Sequence, residues 1–226
     1  VIRYVGGFLA QDKPQEAAAV VKAAALIEMG TSLMAYVVLV LLSGWGATNF
    51  VKDPSTRPLF IIYGIAILGN VMTETATGLL QVTGHFRSIA LLNLLQSLVT
   101  AGLFLAVYLN EGGLFAVMMV YLVGKMILGI GPVMLALFWT PHSLGKSWWR
   151  TPMRGNLPDR KRMFKFALNS NFSGTVTILA RDSEVLWVSY FFDTTVGGYF
   201  KVALAVINLM VMPITPFIST TFPEMT

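Results

Sequence analysis

Six stretches of this chain, at roughly 23–46, 59–82, 88–109, 113–139, 164–191 and 195–220, are apolar over the ~20 residues a helix needs to cross a bilayer. Charged residues make up only 12% of the 226 positions and hydrophobic ones 55%, whereas a soluble domain carries about 25% charged residues. Mean hydropathy is +0.69. The solvent this composition suits is lipid. The fold class it predicts is all-α: a polytopic transmembrane bundle of about six spans.

The connections are short and carry helix-stopping residues. Asn49 to Pro58 holds the Asp53-Pro54 and Arg57-Pro58 dipeptides, Thr83-Gly84-His85-Phe86-Arg87 joins the second and third stretches, and Asn110-Glu111-Gly112 the third and fourth. The longest connection, before the fifth stretch, carries Pro141, Pro152 and Pro158. Basic residues alternate from loop to loop. One side takes Arg3, Lys13, Lys22, Arg87, Lys146, Arg150, Arg154, Arg160, Lys161, Arg162 and Lys165, the other only Lys52 and Arg57. The positive-inside rule then places the 140–165 loop in the cytoplasm, with Trp148 and Trp149 as interfacial anchors. Residues 1–22 mix Arg3, Asp12, Lys13 and Glu16 with an Ala/Val run, which predicts an amphipathic lead-in at the membrane surface, not a seventh span. The start at Val1 and the stop after Phe222-Pro223-Glu224-Met225-Thr226 lead us to expect a fragment of a longer protein.

Polar residues inside the spans indicate which faces point inward, because each is expensive against lipid. The second stretch carries Tyr63, Asn70, Glu74, Thr77 and Gln81 at helical spacing, and the third Asn93, Gln96 and Thr100. The fifth has Ser170, Gly174, Thr177, Arg181 and Glu184 in register, flanked by Asp182, and the sixth has Lys201, Asn208 and Thr215. The amides and hydroxyls suit helix–helix hydrogen bonding. Seven charged residues, Glu28, Glu74, Lys125, Arg181, Asp182, Glu184 and Lys201, ask for more. A mid-bilayer charge costs about 3 kcal/mol. Arg181 can pair with Asp182 or Glu184, and Glu28 and Lys201 lie close enough to span ends to snorkel. Charges on several helices together predict a hydrated interior cavity. Gly129, Gly131 and Pro132 in the fourth stretch, and Pro213 and Pro216 in the sixth, are sites for a packing kink or a hinge.

Much chemistry is excluded. The chain has no cysteine, and its two histidines, His85 and His142, lie far apart at loops, so no metal is expected. No phosphate-binding glycine loop or nucleophile elbow occurs. Asp182 and Glu184 point to different sides of a helix, which removes a carboxylate pair for acid–base catalysis. Neither an enzyme nor a cofactor is expected. The formal charge of +5 sits in loops between apolar runs, which argues against nucleic acid.

From Phe164 to Met225 the sequence resembles the polysaccharide-biosynthesis flippase family of the multidrug/oligosaccharidyl-lipid/polysaccharide exporter superfamily. The residues that carry the resemblance are Ile178-Leu179-Ala180-Arg181-Asp182-Ser183-Glu184-Val185-Leu186, the turn Val196-Gly197-Gly198-Tyr199 with Ala203 one turn on, and Phe222-Pro223-Glu224-Met225. Upstream, Arg3-Tyr4 and the run from Gly78 to Arg87 are similar and collinear. Glu184 departs from the family pattern as an extra charge that can neutralise Arg181. The resemblance implies a two-lobed transporter of 12–14 helices working by alternating access. Residues 1–139 would be the last four helices of the first lobe with their lead-in, 140–163 a cytoplasmic linker, and 164–226 the first two helices of the second lobe.

The function implied is the flipping of a polyprenyl-diphosphate-linked oligosaccharide across the bacterial inner membrane, for surface polysaccharides such as the O-antigen of lipopolysaccharide. Its partners would be that substrate, membrane lipid, and H+ or Na+ as coupling ion. The cavity residues expected to hold substrate are Arg181, Lys125, Lys201, Asn70 and Asn208; Glu74 and Asp182 are candidates for ion coupling or for internal pairing. An ion-coupled exporter of small organic cations and a non-transporting membrane scaffold are the alternatives.

Overall fold

The computed structural model describes residues 2–145, 148–153 and 183–211. Arg181 and Asp182, most of the fifth apolar stretch and the end of the sixth with Pro213 and Pro216 lie outside the described residues. Every regular element among the described residues is helical. Four helical segments are long and apolar enough to cross a membrane. The described residues fall into two compact units, one of residues 2–44 and 57–153, the other of 45–56 and 183–211.

In the first unit a short helix α1 (Ile2–Ala10) is followed by a turn in which Asp12 takes a left-handed conformation. Helix α2 (Pro14–Gly46) then runs for 33 residues. Proline suits its first position, where no N–H is needed. The sequence predicts residues 1–22 as a separate surface segment, and here the structure differs. Residues 14–22 are the opening turns of α2, and Ala17, Ala18, Val20 and Val21 are buried together with Val5 of α1. Alanines cost nothing in side-chain entropy and let helices approach closely, so this run packs inward instead of floating. Its partners are Ala76, Leu79 and Leu80 of helix α4 (Thr73–Val82) and Ala136 and Leu144 of helix α6 (Leu114–Leu144).

The loop alternation is visible in contacts. Lys22 Nζ donates to Trp149 O at 3.0 Å and to Thr151 O, so the start of α2 and the segment after α6 lie at one end. The His85 ring stands 4.3 Å from that of Trp139, which brings the turn before helix α5 (Phe86–Leu109) to that same end. At the opposite end, Arg57 Nε reaches Ser43 Oγ at 3.4 Å.

One element departs from expectation. The second apolar stretch is not one helix: α3 (Arg57–Gly69) stops, residues 70–72 form a turn, and α4 restarts at Thr73. The fourth stretch, the expected place of a kink or hinge at Gly129, Gly131 and Pro132, is helical through both Pro132 and Pro141. The two meet at Gly129. A methyl group at Gly129 would stand 2.3 Å from Gly69 O, so α6 needs glycine there to let the interrupted backbone come against it.

In the second unit, helix α7 (Glu184–Phe191) turns at Phe192-Asp193 into helix α8 (Thr194–Val211). Asp193 caps α8 by accepting the Val196 N–H at 2.8 Å. The turn of residues 47–51 packs on α7 through Phe50 and Tyr190, whose ring centroids are 5.8 Å apart. Lys52 donates from Nζ to Phe192 O at 2.8 Å, a cation at a helix C-terminus. Nearby, hydrogen bonds from the Ser55 side chain and backbone hold the Asp53 carboxyl below the usual carboxylate range. Any support it gives this turn is present above the ordinary carboxylate pKa and is lost as pH falls through the lowered one.

Gly197, in the Val196-Gly197-Gly198-Tyr199 run, is buried, and a Cβ there would stand 2.1 Å from Ser189 Oγ. Gly197→Ala is therefore expected to lower the melting temperature in detergent, by the overpacking cost of about 1–3 kcal/mol. Adding Ser189→Ala should recover much of that loss. An unrelieved loss in the double variant would show that Ser189 is not what Gly197 makes room for.

Candidate functional site

The interruption between α3 and α4 gathers the polar groups of the first unit. Counted along α4, it lies ~15 Å from the basic end of the helix, near the middle of a ~30 Å hydrocarbon core. Any helix start leaves N–H groups without partners, and in lipid each must be satisfied within the protein. At α4 the residue before the helix is Met72, which has no side chain able to cap it. The cap comes from another helix. Glu28, near the middle of α2, accepts the Glu74 N–H on Oε1 at 2.9 Å and the Thr75 N–H on Oε2 at 3.1 Å. A carboxylate at a helix N-terminus also meets the favourable end of the helix dipole.

The other side of the break is closed locally. Asn70 donates from Nδ2 to Ala66 O at 2.7 Å, and its backbone N–H is shared between Ala66 O and Ile67 O, both at 3.2 Å. Thr73 Oγ1 donates to Gly129 O on α6 at 3.0 Å. Three helices are thus tied to one interrupted segment: α2 by Glu28, α6 by Gly129, and α3 by Asn70.

The predicted site residues are distributed as follows. Asn70 and Glu74 are brought together at the break, Asn70 with its amide committed to the backbone and Glu74 with its side chain exposed. The break also divides the expected stripe from Tyr63 to Gln81 between two helices. Lys125 is exposed on α6, one turn before Gly129, and makes no hydrogen bond or ion pair among the described residues. An apolar groove of about 490 Å³ lies on a different face of α6, lined by Leu122, Val123, Met126, Ile127, Ile130 and Gly131. Lys201 and Asn208 are exposed on α8 in the second unit. Arg181 and Asp182 fall outside the described residues.

Sequence reasoning undervalued Glu28, taken for a residue able to snorkel from a span end. Because α2 begins at Pro14, Glu28 is well inside it, and its carboxylate faces α4. The available signal was the cluster Asn70-Val71-Met72-Thr73-Glu74-Thr75, where capping-type residues follow Gly69 in an otherwise apolar run. No cluster of metal-ligating side chains occurs among the described residues.

Long apolar helices with a tertiary-capped break at mid-depth define a polytopic helical membrane protein. Within that class, this chain belongs to a family described as polysaccharide biosynthesis protein, whose sequence profile matches residues 5–225. Membership gives it a role in polysaccharide biosynthesis. Comparison with curated proteins and with solved structures returned no match.

Proposed function

We propose that this chain is part of a flippase that moves a polyprenyl-diphosphate-linked oligosaccharide across the bacterial inner membrane by alternating access. The observation that carries this reading is a membrane helix interrupted at mid-depth and closed by a carboxylate from a neighbour, in a member of a polysaccharide biosynthesis family. Interrupted helices at the midplane are where transporters bind substrate and coupling ions, and a static scaffold has no need of one. Lys125, exposed on α6, is a cation able to meet an anionic head group. Arg181, Lys201, Asn70 and Asn208 complete the proposed substrate set, with Glu74 and Asp182 for H+ or Na+ coupling. On this reading the 140–165 loop faces the cytoplasm, residues 1–139 close a first lobe, 140–163 link the lobes, and 164–226 open the second. The protein moves its substrate without altering it, as a non-enzyme.

The test is the full-length gene in a cell lacking its own oligosaccharide flippase, with surface glycan scored by antibody. Restored glycan is expected, and Arg181→Ala should reduce translocation about tenfold, the equivalent of ~1.4 kcal/mol, at unchanged membrane insertion. Unchanged translocation at equal expression removes Arg181 from the mechanism.

One observation favours the cation exporter as a second reading: two acidic residues, Glu28 and Glu74, lie at the break, with Glu28 Oε1 accepting the Glu74 N–H. Resistance to cationic dyes conferred by the gene, without glycan restoration, would select it.

A further inference from the structure

The segment 70–75 is held in its interrupted form by something other than its own sequence. No proline occurs between Leu59 and Val82, and the run Gly69-Asn70-Val71-Met72-Thr73 can continue a helix at the cost of one glycine. The apolar pattern of 59–82 reads as a single span. In such a continuous helix the Glu74 and Thr75 N–H groups would donate to the carbonyls of Asn70 and Val71. In the structure they donate to Glu28 instead. The same two donors thus have two mutually exclusive sets of acceptors.

We propose that Glu28 is a proton-operated latch: its carboxylate holds the α3–α4 segment interrupted, and its protonated form lets the segment close into one continuous helix. The ionised group presents a full acceptor oxygen to each N–H, whereas protonation turns one oxygen into a hydroxyl, a weaker acceptor with a proton of its own to place. One of the two bonds is then weakened or lost. The backbone acceptors of the continuous helix then win the competition, and the ties at Asn70 and Thr73 are given up. A population shift of this kind requires a difference in interaction between the two states, and the paired Glu28 bonds supply it.

The titratable groups on the surrounding elements include Glu74 on α4, Glu16, Lys22 and Tyr36 on α2, Arg57 and Tyr63 on α3, and Tyr121 and Lys125 on α6. Lys22 is committed to loop carbonyls, and none of these makes a side-chain hydrogen bond or ion pair with the Glu28 carboxylate. Glu74 is the one whose titration has to be separated from that of Glu28, because it belongs to the same helix turn. The latch does not rest on the transported substrate and stands whether or not the chain moves a lipid-linked sugar.

The experiment uses the full-length protein in lipid vesicles with spin labels on cysteines introduced at Pro58 and Gln81, a pair made convenient by the absence of native cysteine in this chain. A straight helix would set the two backbone positions ~35 Å apart. The distance distribution is read by pulsed electron paramagnetic resonance between roughly pH 4 and 9. We expect a shorter separation at high pH that gives way to the ~35 Å separation at low pH. Glu28→Gln should show the long separation at every pH, and Glu74→Gln should keep the transition. A distribution independent of pH in the unmutated protein overturns the proposal even if Glu28→Gln does not fold. So does a transition that survives Glu28→Gln or disappears in Glu74→Gln.

Discussion

Gly129→Ala, the addition of one methyl group, is expected to destabilise the first unit by about 3 kcal/mol, the upper part of the overpacking range. The new Cβ would stand 2.3 Å from Gly69 O, 2.7 Å from Gly69 C and 3.1 Å from Asn70 N. All three are backbone atoms, so no rotamer change relieves the clash. The segment between α3 and α4 must retreat from α6, and the hydrogen bond from Thr73 Oγ1 to Gly129 O goes with it. Gly102, on α5, is the matched control, since a Cβ there meets nothing within 4 Å. Gly102→Ala should be neutral or stabilising by up to ~1 kcal/mol, because alanine is the better helix former. Thermal melting of the two variants in detergent makes the comparison. Equal melting temperatures would mean that the interrupted segment does not rest on α6.

Glu28→Ala is expected to have a second large effect, on stability and on transport together. It removes the two hydrogen bonds to a charged acceptor that hold the interrupted form, a loss to that form of about 3 kcal/mol, and the Thr75 N–H turns to the Val71 carbonyl as the segment closes. Lys13→Ala serves as the comparison. Its ion pair with Glu16, at 3.6 Å between half-exposed side chains, is worth roughly 0–1 kcal/mol. Glycan restoration by Glu28→Ala should fall to background while Lys13→Ala stays at the unmutated level, at matched amounts in the membrane. Full activity in Glu28→Ala would reduce the cap to a packing detail.

The span pattern was legible because long apolar runs and loop charge each report a strong physical constraint. Lys22 meeting Trp149 and Thr151, and His85 meeting Trp139, put at one end the connections that the basic residues had assigned to one side. The gap between the fifth and sixth apolar stretches fell at the Phe192-Asp193 turn, but the Val196-Gly197-Gly198-Tyr199 turn drawn from the resemblance is the opening of α8, whose cap is Asp193. What could not be read was set by partners distant in sequence. Gly129 was read as a feature of its own helix, and its close approach to Gly69 in the interrupted neighbour was not foreseen. The break at residues 70–72 depends on Glu28, 46 positions away from Glu74, and no local periodicity reveals such an acceptor. The Ala/Val run before Lys22 was misplaced for a related reason: whether small residues face water or a neighbouring helix is decided by α4 and α6. For the candidate site, charge singled out Glu74 and Lys125 in the sequence but left Glu28's role unread, because cost in lipid identifies a residue without naming its partner.

The bond between Lys22 and the carbonyls of Trp149 and Thr151 joins residues 127 and 129 positions apart. At about 5–20 residues translated per second, the loop that receives Lys22 emerges roughly 6–25 s after Lys22 itself. Over that interval the opening turns of α2 have at most Val5 and the α4 residues Ala76, Leu79 and Leu80 against Ala17, Ala18, Val20 and Val21, since Ala136 and Leu144 are yet to be made. A ribosome stalled or a chain truncated before Leu144 therefore leaves a half-built bundle with a small-residue face open to neighbours. That interval is when a membrane insertase or chaperone has the most to shield.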